Sequence, residues 1–279
     1  MTNLVPYISG MASALCYGSA TVLEQIAAKR QKQISSFSLR HLYDLFKQIP
    51  YLAGIILDIF GWIFFLITAR YLPLFLDLSF VALSLVVSSI IASLFMSVKS
   101  SRNEKISMAA VVIGVILLGA IAEPTAAKSV NHLFKIILEL FPIPMGIFGL
   151  LMLKADKYKF SALILAALSG LTFGATGLIS RIINITHFSF AALLQPLTVS
   201  LIAYGALGLY FLAASLQRDS VNRINAFLYT FELAVPSALG IFFLGDNVKS
   251  GMWLVMLLGF MFVIFGSVIT AYETHATSS

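Results

Sequence analysis

Apolar residues in this chain fall in long unbroken runs separated by short polar joins, with no strict apolar/polar alternation anywhere. The runs predict helices at about 4–29, 50–70, 73–97, 106–122, 132–153, 160–183, 187–214, 222–244 and 251–271, most of them near the roughly 20 apolar residues that a membrane-spanning helix needs. A β-barrel would show segments of about 10 alternating residues instead. The expectation is an all-α, polytopic membrane protein of about nine spans. The one long join, 30–49, mixes polar and apolar residues in a way that suits a surface helix. Residues 51–97 read as a helical hairpin turned at Tyr71-Leu72-Pro73, and its first arm carries an acid, Asp58, among Leu, Ile and Phe.

Composition sharpens this picture. The chain is 59% hydrophobic and only 11% charged, with a mean hydropathy of +0.96, whereas soluble domains carry about 25% charged residues. The single cysteine, Cys16, lies in the first run and leaves no intramolecular disulfide. The amino-terminal stretch lacks a basic segment, and its apolar run is longer than a signal-peptide core, so the expectation is that it is retained. The net charge of +6 is spread over joins that flank helices, which reads as a topology signal and not as a nucleic-acid patch. Lys29, Arg30, Lys32, Arg40, Lys47, Lys99, Arg102, Lys105, Lys154, Lys157, Lys159, Arg218 and Arg223 fall on one side, and Arg70, Lys128, Lys135, Arg181 and Lys249 on the other. Thirteen against five places the first set in the cytoplasm, the amino terminus outside and the carboxy terminus inside a cytoplasmic (inner or plasma) membrane.

A weak internal repeat is also present. Ser13-Ala-Leu-Cys-Tyr-Gly18 matches Ser169-Gly-Leu-Thr-Phe-Gly174, 156 positions later, and Gly61-Trp62-Ile-Phe-Phe matches Gly208-Leu-Tyr-Phe-Leu. Helices one to four then map onto six to nine, giving a first repeat at 1–131, a linker helix at 132–159 and a second repeat at 160–279. Equivalent helices are five spans apart. An odd number inverts one half relative to the other, a device of secondary transporters, which place the substrate site where the repeats meet.

Ala14-Leu-Cys-Tyr-Gly18, Gly61-Trp62, the turn Ala69-Arg70-Tyr-Leu-Pro73-Leu and Gly170-Leu-Thr-Phe-Gly174 resemble the drug/metabolite transporter superfamily, over nearly the whole chain. The chain is most similar to its EamA-like members and to the NIPA-like magnesium transporter branch, which also has about nine spans. The resemblance implies two inverted five-helix repeats, and with about nine apolar runs the expectation is that the last helix is lacking.

Acids within apolar helices are the leading site candidates, because charge at mid-bilayer costs about 2.5–3.5 kcal/mol on insertion scales and therefore faces a bundle interior or a wet cavity. Asp58 shares a helical face with Gly54, Gly61, Trp62 and Phe65; the alternative is a neutral acid hydrogen-bonded for packing. Glu232 sits about 3 Å of helix rise from the centre of its span, one turn before Pro236, which leaves a backbone carbonyl free. Asn225 and Tyr229 approach the same face. Gln195-Pro196 reads as a polar group at a kink, serving either a ligand or an interhelical hydrogen bond. Tyr17 offers a hydroxyl to a ligand or to a neighbouring carbonyl. Gly10, Ala14 and Gly18, and Gly170, Gly174 and Gly177, have the spacing of helix contacts. Asp77, Glu123 and Asp246 fall near outer ends of spans and are expected to be hydrated; Lys135 and Glu139 are placed to pair. The histidines, His41, His132, His187 and His275, lie at or near loops, with no HExxH or GxxxxGK motif, so enzyme chemistry and ATP-driven pumping are not expected.

The leading reading is a secondary carrier for a small metabolite, drug or cation, with Asp58 and Glu232 binding the substrate or a coupling proton. The alternatives are a divalent-cation (magnesium) permease, for which two acids supply few oxygen ligands, and a lipid-handling or structural subunit without turnover. Expected partners are the lipid bilayer and a small-molecule or cation substrate, with a homodimer left open and nucleic acid excluded. No cofactor is expected, and no metal site is assigned.

Overall fold

The structure, a computed structural model, describes residues 4–29, 47–95, 101–123, 130–154, 160–183, 194–216, 218–219 and 221–276. Among these, the secondary structure is helical apart from a single bridge between Ala122 and Val248. The helices are α1 (Val5–Lys29), α2 (Ile49–Tyr71), α3 (Leu74–Phe95), α4 (Arg102–Ile121), α5 (His132–Leu140), α6 (Pro142–Lys154), α7 (Ser161–Ile182), α8 (Pro196–Leu216), α9 (Val221–Leu239) and α10 (Trp253–Ala276). Seven helices among the described residues are long and apolar enough to cross a membrane, α5 and α6 together forming one of them. The protein is a polytopic, all-α membrane protein.

Local chemistry sets the helix ends. Pro50 opens α2, where its missing N–H costs nothing. Leu72, held extended before Pro73, closes it. Ser101 caps α4, accepting from the Glu104 N–H at 3.0 Å. Asn131 caps α5 in the same way. The expected single helix over 132–153 is divided at Phe141, because Pro142 cannot donate to the preceding turn. At its far end α9 widens into a π-turn, Gly240–Leu244, and is stopped by Gly245 at φ 73°, a left-handed conformation that glycine adopts without strain.

Small residues decide which helices lie inside. The Gly-, Ala- and Ser-rich α7 is the most buried of the seven crossing helices. It packs between α8 and α9, while α1 packs against α2 and α3, and α4 against α10. These contacts are close. A Cβ on Gly18 would stand 2.7 Å from the Ser84 carbonyl of α3, and one on Gly174 would stand 2.8 Å from the Glu232 carbonyl of α9. Where α4 meets α10, a Cβ on Gly114 would approach the Gly259 carbonyl to 2.8 Å and one on Gly259 would approach the Gly114 carbonyl to 3.4 Å. The expected helix-contact role of Gly10, Gly18, Gly170 and Gly174 therefore holds. Large apolar side chains such as Leu94, Ile116 and Leu254 are left exposed, as lipid-facing residues are.

Two expectations fail here. The helix expected over 187–214 is not continuous: α8 starts at Pro196, and Gln195 is an exposed residue in the bend before it, its carbonyl accepting the Val199 N–H, while residues 187–193 lie outside the described residues. A proline favoured at a helix start was mistaken for one inside a helix. Asp77 and Asp246 are not hydrated, both being buried among helix ends. Most of the 30–49 join lies outside the described residues, as do His41 and His187.

Candidate functional site

A cavity of about 580 Å³ lies between two groups of helices, α1–α3 on one side and α7–α9 on the other. Its walls come from Tyr17 on α1, Asp58, Trp62 and Phe65 on α2, Leu78 and Val81 on α3, Phe173 and Thr176 on α7, Thr198, Leu201, Gly205 and Leu209 on α8, and Glu232 on α9. The two mid-helix acids thus face the same space. Asp58 and Trp62 are one turn apart on α2 and present a carboxylate and an indole together.

The aromatic walls are positioned by glycines. Gly61 lets the Tyr17 ring lie against α2, where a Cβ would come within 3.0 Å of the ring. Gly208 does the same on α8 for Phe173, at 2.7 Å. The Ser169 hydroxyl donates to the Gly208 carbonyl at 2.9 Å, fixing α7 against α8.

Glu232 is held from behind. A Cβ on Gly170 would stand 2.9 Å from the Glu232 N, and Pro236 closes over Gly174. The Glu232 carbonyl, which Pro236 cannot engage as a helical donor, points at Gly174. The helix break expected beside this acid is thus absorbed by close packing on α7. Tyr229 does not line the main cavity; it borders a void of about 10 Å³ shared with Glu232, Leu233 and Ser267. Gln195 stands away from the cavity, and the Asn225 side chain lies outside the described residues. Lys135 and Glu139 approach to 3.8 Å, as their spacing suggests. Among the described residues no three His, Cys, Asp or Glu cluster as a metal site would require.

A second polar centre, which sequence reasoning missed, lies one to two turns from the cavity wall, where α2, α3 and α7 end or begin. Arg181 on α7 pairs with Asp246 at 2.5 Å, both side chains fully buried. It also donates to the Ala69 carbonyl at 2.8 Å and to that of Leu72. The second Asp246 oxygen accepts the Leu74 N–H at 2.6 Å. Gly240 is required there, since a Cβ would stand 2.6 Å from that oxygen. Burial pushes the Asp246 carboxyl above its ordinary range, while Arg181 and the Leu74 N–H pull it back. Asp77, in the first turn of α3, is wholly buried beside this pair, and neither of its oxygens accepts a hydrogen bond from the described residues. The available signal was that one cation and two acids sit at the same end of three different helices. No family model, curated protein or solved structure matches the chain.

Proposed function

We propose that the chain is a secondary carrier that moves a small organic cation across the cytoplasmic membrane by alternating access. The observation that carries this reading is that Asp58 and Glu232, one from each group of helices, line one cavity of about 580 Å³. Such a volume suits a small molecule. Tyr17, Trp62, Phe65 and Phe173 surround the acids with aromatic faces, and aromatic faces combined with carboxylates suit an organic cation. Magnesium, which prefers octahedral oxygen and retained water, gains little from a wall of rings. An ion gradient, with a proton exchanged at one of the acids, is the energy source in this reading.

The packing supports two inverted repeats, 1–131 and 160–279, joined by 132–159, and membership of the drug/metabolite transporter superfamily. The pairs that match in sequence also make matching contacts: Tyr17 against Gly61 with Phe173 against Gly208, and Gly18 against an α3 carbonyl with Gly174 against an α9 carbonyl. The reciprocal Gly114–Gly259 contact is what a two-fold axis in the membrane plane would produce. In this reading α1 and α10 also cross, making nine spans, with the amino terminus outside and the carboxy terminus in the cytoplasm. Arg181 is buried and leaves the outer loop count, so the charge bias becomes thirteen against four.

The test is uptake of a panel of organic cations, neutral metabolites and magnesium into liposomes holding the purified protein. Glu232→Gln is expected to fold, insert and lose pH-dependent uptake, and Asp58→Asn to weaken uptake or its coupling. Wild-type rates and pH profiles in both variants would make the acids structural.

A further inference from the structure

The molecule is sealed at the end where α2 turns into α3. Ala69, Leu72, Leu74 and Asp77 have no solvent exposure, and Asp246 and Arg181 have 2% and 4%. Arg181 and Asp246 come from one group of helices, and the backbone atoms they hold, the Ala69 and Leu72 carbonyls and the Leu74 N–H, come from the other. This clamp therefore joins the two groups. It is electrically complete without Asp77, since the guanidinium is matched by one carboxylate.

A buried carboxylate that accepts no hydrogen bond and adds a second negative charge to a balanced pair is heavily penalised by desolvation, whereas the neutral acid is not. Among the described residues, the groups acting on Asp77 are Arg181 from α7, Asp246 from the segment after α9 and, from α1, the Tyr17 hydroxyl. The other charges at this end are Arg70 on α2, which is exposed, Glu123, which is half-exposed, and Lys249, which donates to the Ala120 carbonyl at 2.7 Å.

We propose that Asp77 is a proton-binding site whose proton keeps the Arg181–Asp246 clamp, and with it this end of the bundle, shut. With the proton on a carboxyl oxygen, Arg181 belongs to Asp246 alone and the clamp stays dry. When the proton leaves to water, Asp77 competes with Asp246 for Arg181 and needs solvent, both of which loosen the grip on the α2–α3 turn. The device does not depend on what the cavity binds.

The test uses the full chain purified in detergent, with Cys16→Ser and one introduced thiol. Ala69→Cys places it in the clamp; Met252→Cys, exposed at the same end, corrects for ionisation of the thiol itself. The rate of reaction with a membrane-impermeant maleimide is read from about pH 5 to about pH 9. The corrected rate at residue 69 is expected to rise by about tenfold or more with pH, to stay at its low-pH value in Asp77→Asn, and to regain the rise in Asp77→Glu. An Asn variant that keeps the full pH dependence overturns the proposal. Should that variant not fold, the Asp77 chain decides alone, a flat corrected profile being fatal. Loss or survival of uptake in Glu232→Gln bears on the carrier reading and leaves this result untouched.

Discussion

Gly174 is the position where the packing behind Glu232 can be tested most directly. In Gly174→Ala the added Cβ would lie 2.8 Å from the Glu232 carbonyl and closer still to the Pro236 ring. Ordinary contact begins near 3.4 Å, so α9 must withdraw from α7 by roughly half an ångström or more, taking Glu232 with it. Proline and a backbone oxygen cannot rotate aside as a flexible side chain would. Overpacking of this kind costs about 1–3 kcal/mol. Against it stands the helix preference of Ala over Gly, about 0.8–1.0 kcal/mol. Gly119→Ala is the control, because its Cβ would meet only Leu76 at 3.8 Å; it gains the same preference without the clash. The difference between the two variants is therefore about 1–3 kcal/mol, or about 2–12 °C in melting temperature by the scaling for chains of comparable size. Thermal unfolding of the purified variants in one detergent reads it, with uptake measured in parallel. If Gly174→Ala melts with Gly119→Ala and transports like the parent, the α7–α9 distance does not position Glu232.

Two further outcomes follow from the charges. Arg181→Ala strands Asp246 in a dry site and is expected to cost about 3–5 kcal/mol, whereas Arg181→Met with Asp246→Leu removes both charges and should recover only part of that loss, because the Ala69 and Leu72 carbonyls and the Leu74 N–H lose their partners; thermal unfolding of the three proteins decides, and equal damage in single and double variants would count against the buried pair. Ser35→Cys in a Cys16→Ser chain should resist impermeant thiol reagents in intact cells and react after lysis, because the basic residues around it face the cytoplasm; labelling from outside would invert the orientation.

The sequence exposes its helices because each apolar run is long enough to have one interpretation, and it exposes Asp58 and Glu232 because an acid inside such a run has no inexpensive explanation. Boundaries fail where a residue has two uses. Pro196 terminates a helix as readily as it kinks one, and only the bend at Leu194 and Gln195 shows which applies. Tyr229 shares a helical face with Glu232 yet borders a different, far smaller void, lined by α3, α9 and α10. Thr176 and Thr198 line the cavity but carry no sequence signal beyond being common residues in helices, whereas Phe173 is the repeat counterpart of Tyr17.

The misreading of Asp77, Arg181 and Asp246 has a more general cause. Charge counting assumes that the end of a span is wet, which holds for a helix that ends in a loop. Here α2, α3 and α7 end against one another and against the π-turn after α9, so their termini form part of the interior. The backbone atoms freed at those termini, the carbonyls of Ala69 and Leu72 and the N–H of Leu74, need partners once buried. A guanidinium with five donors and a carboxylate with two oxygens can satisfy them together while neutralising each other. The same ionisable groups that would mark a membrane boundary if solvated therefore close the bundle here. The acids in the wide cavity remain facing space that a solute can enter. Depth in the membrane alone does not distinguish these two roles; the presence of free volume beside the carboxylate does.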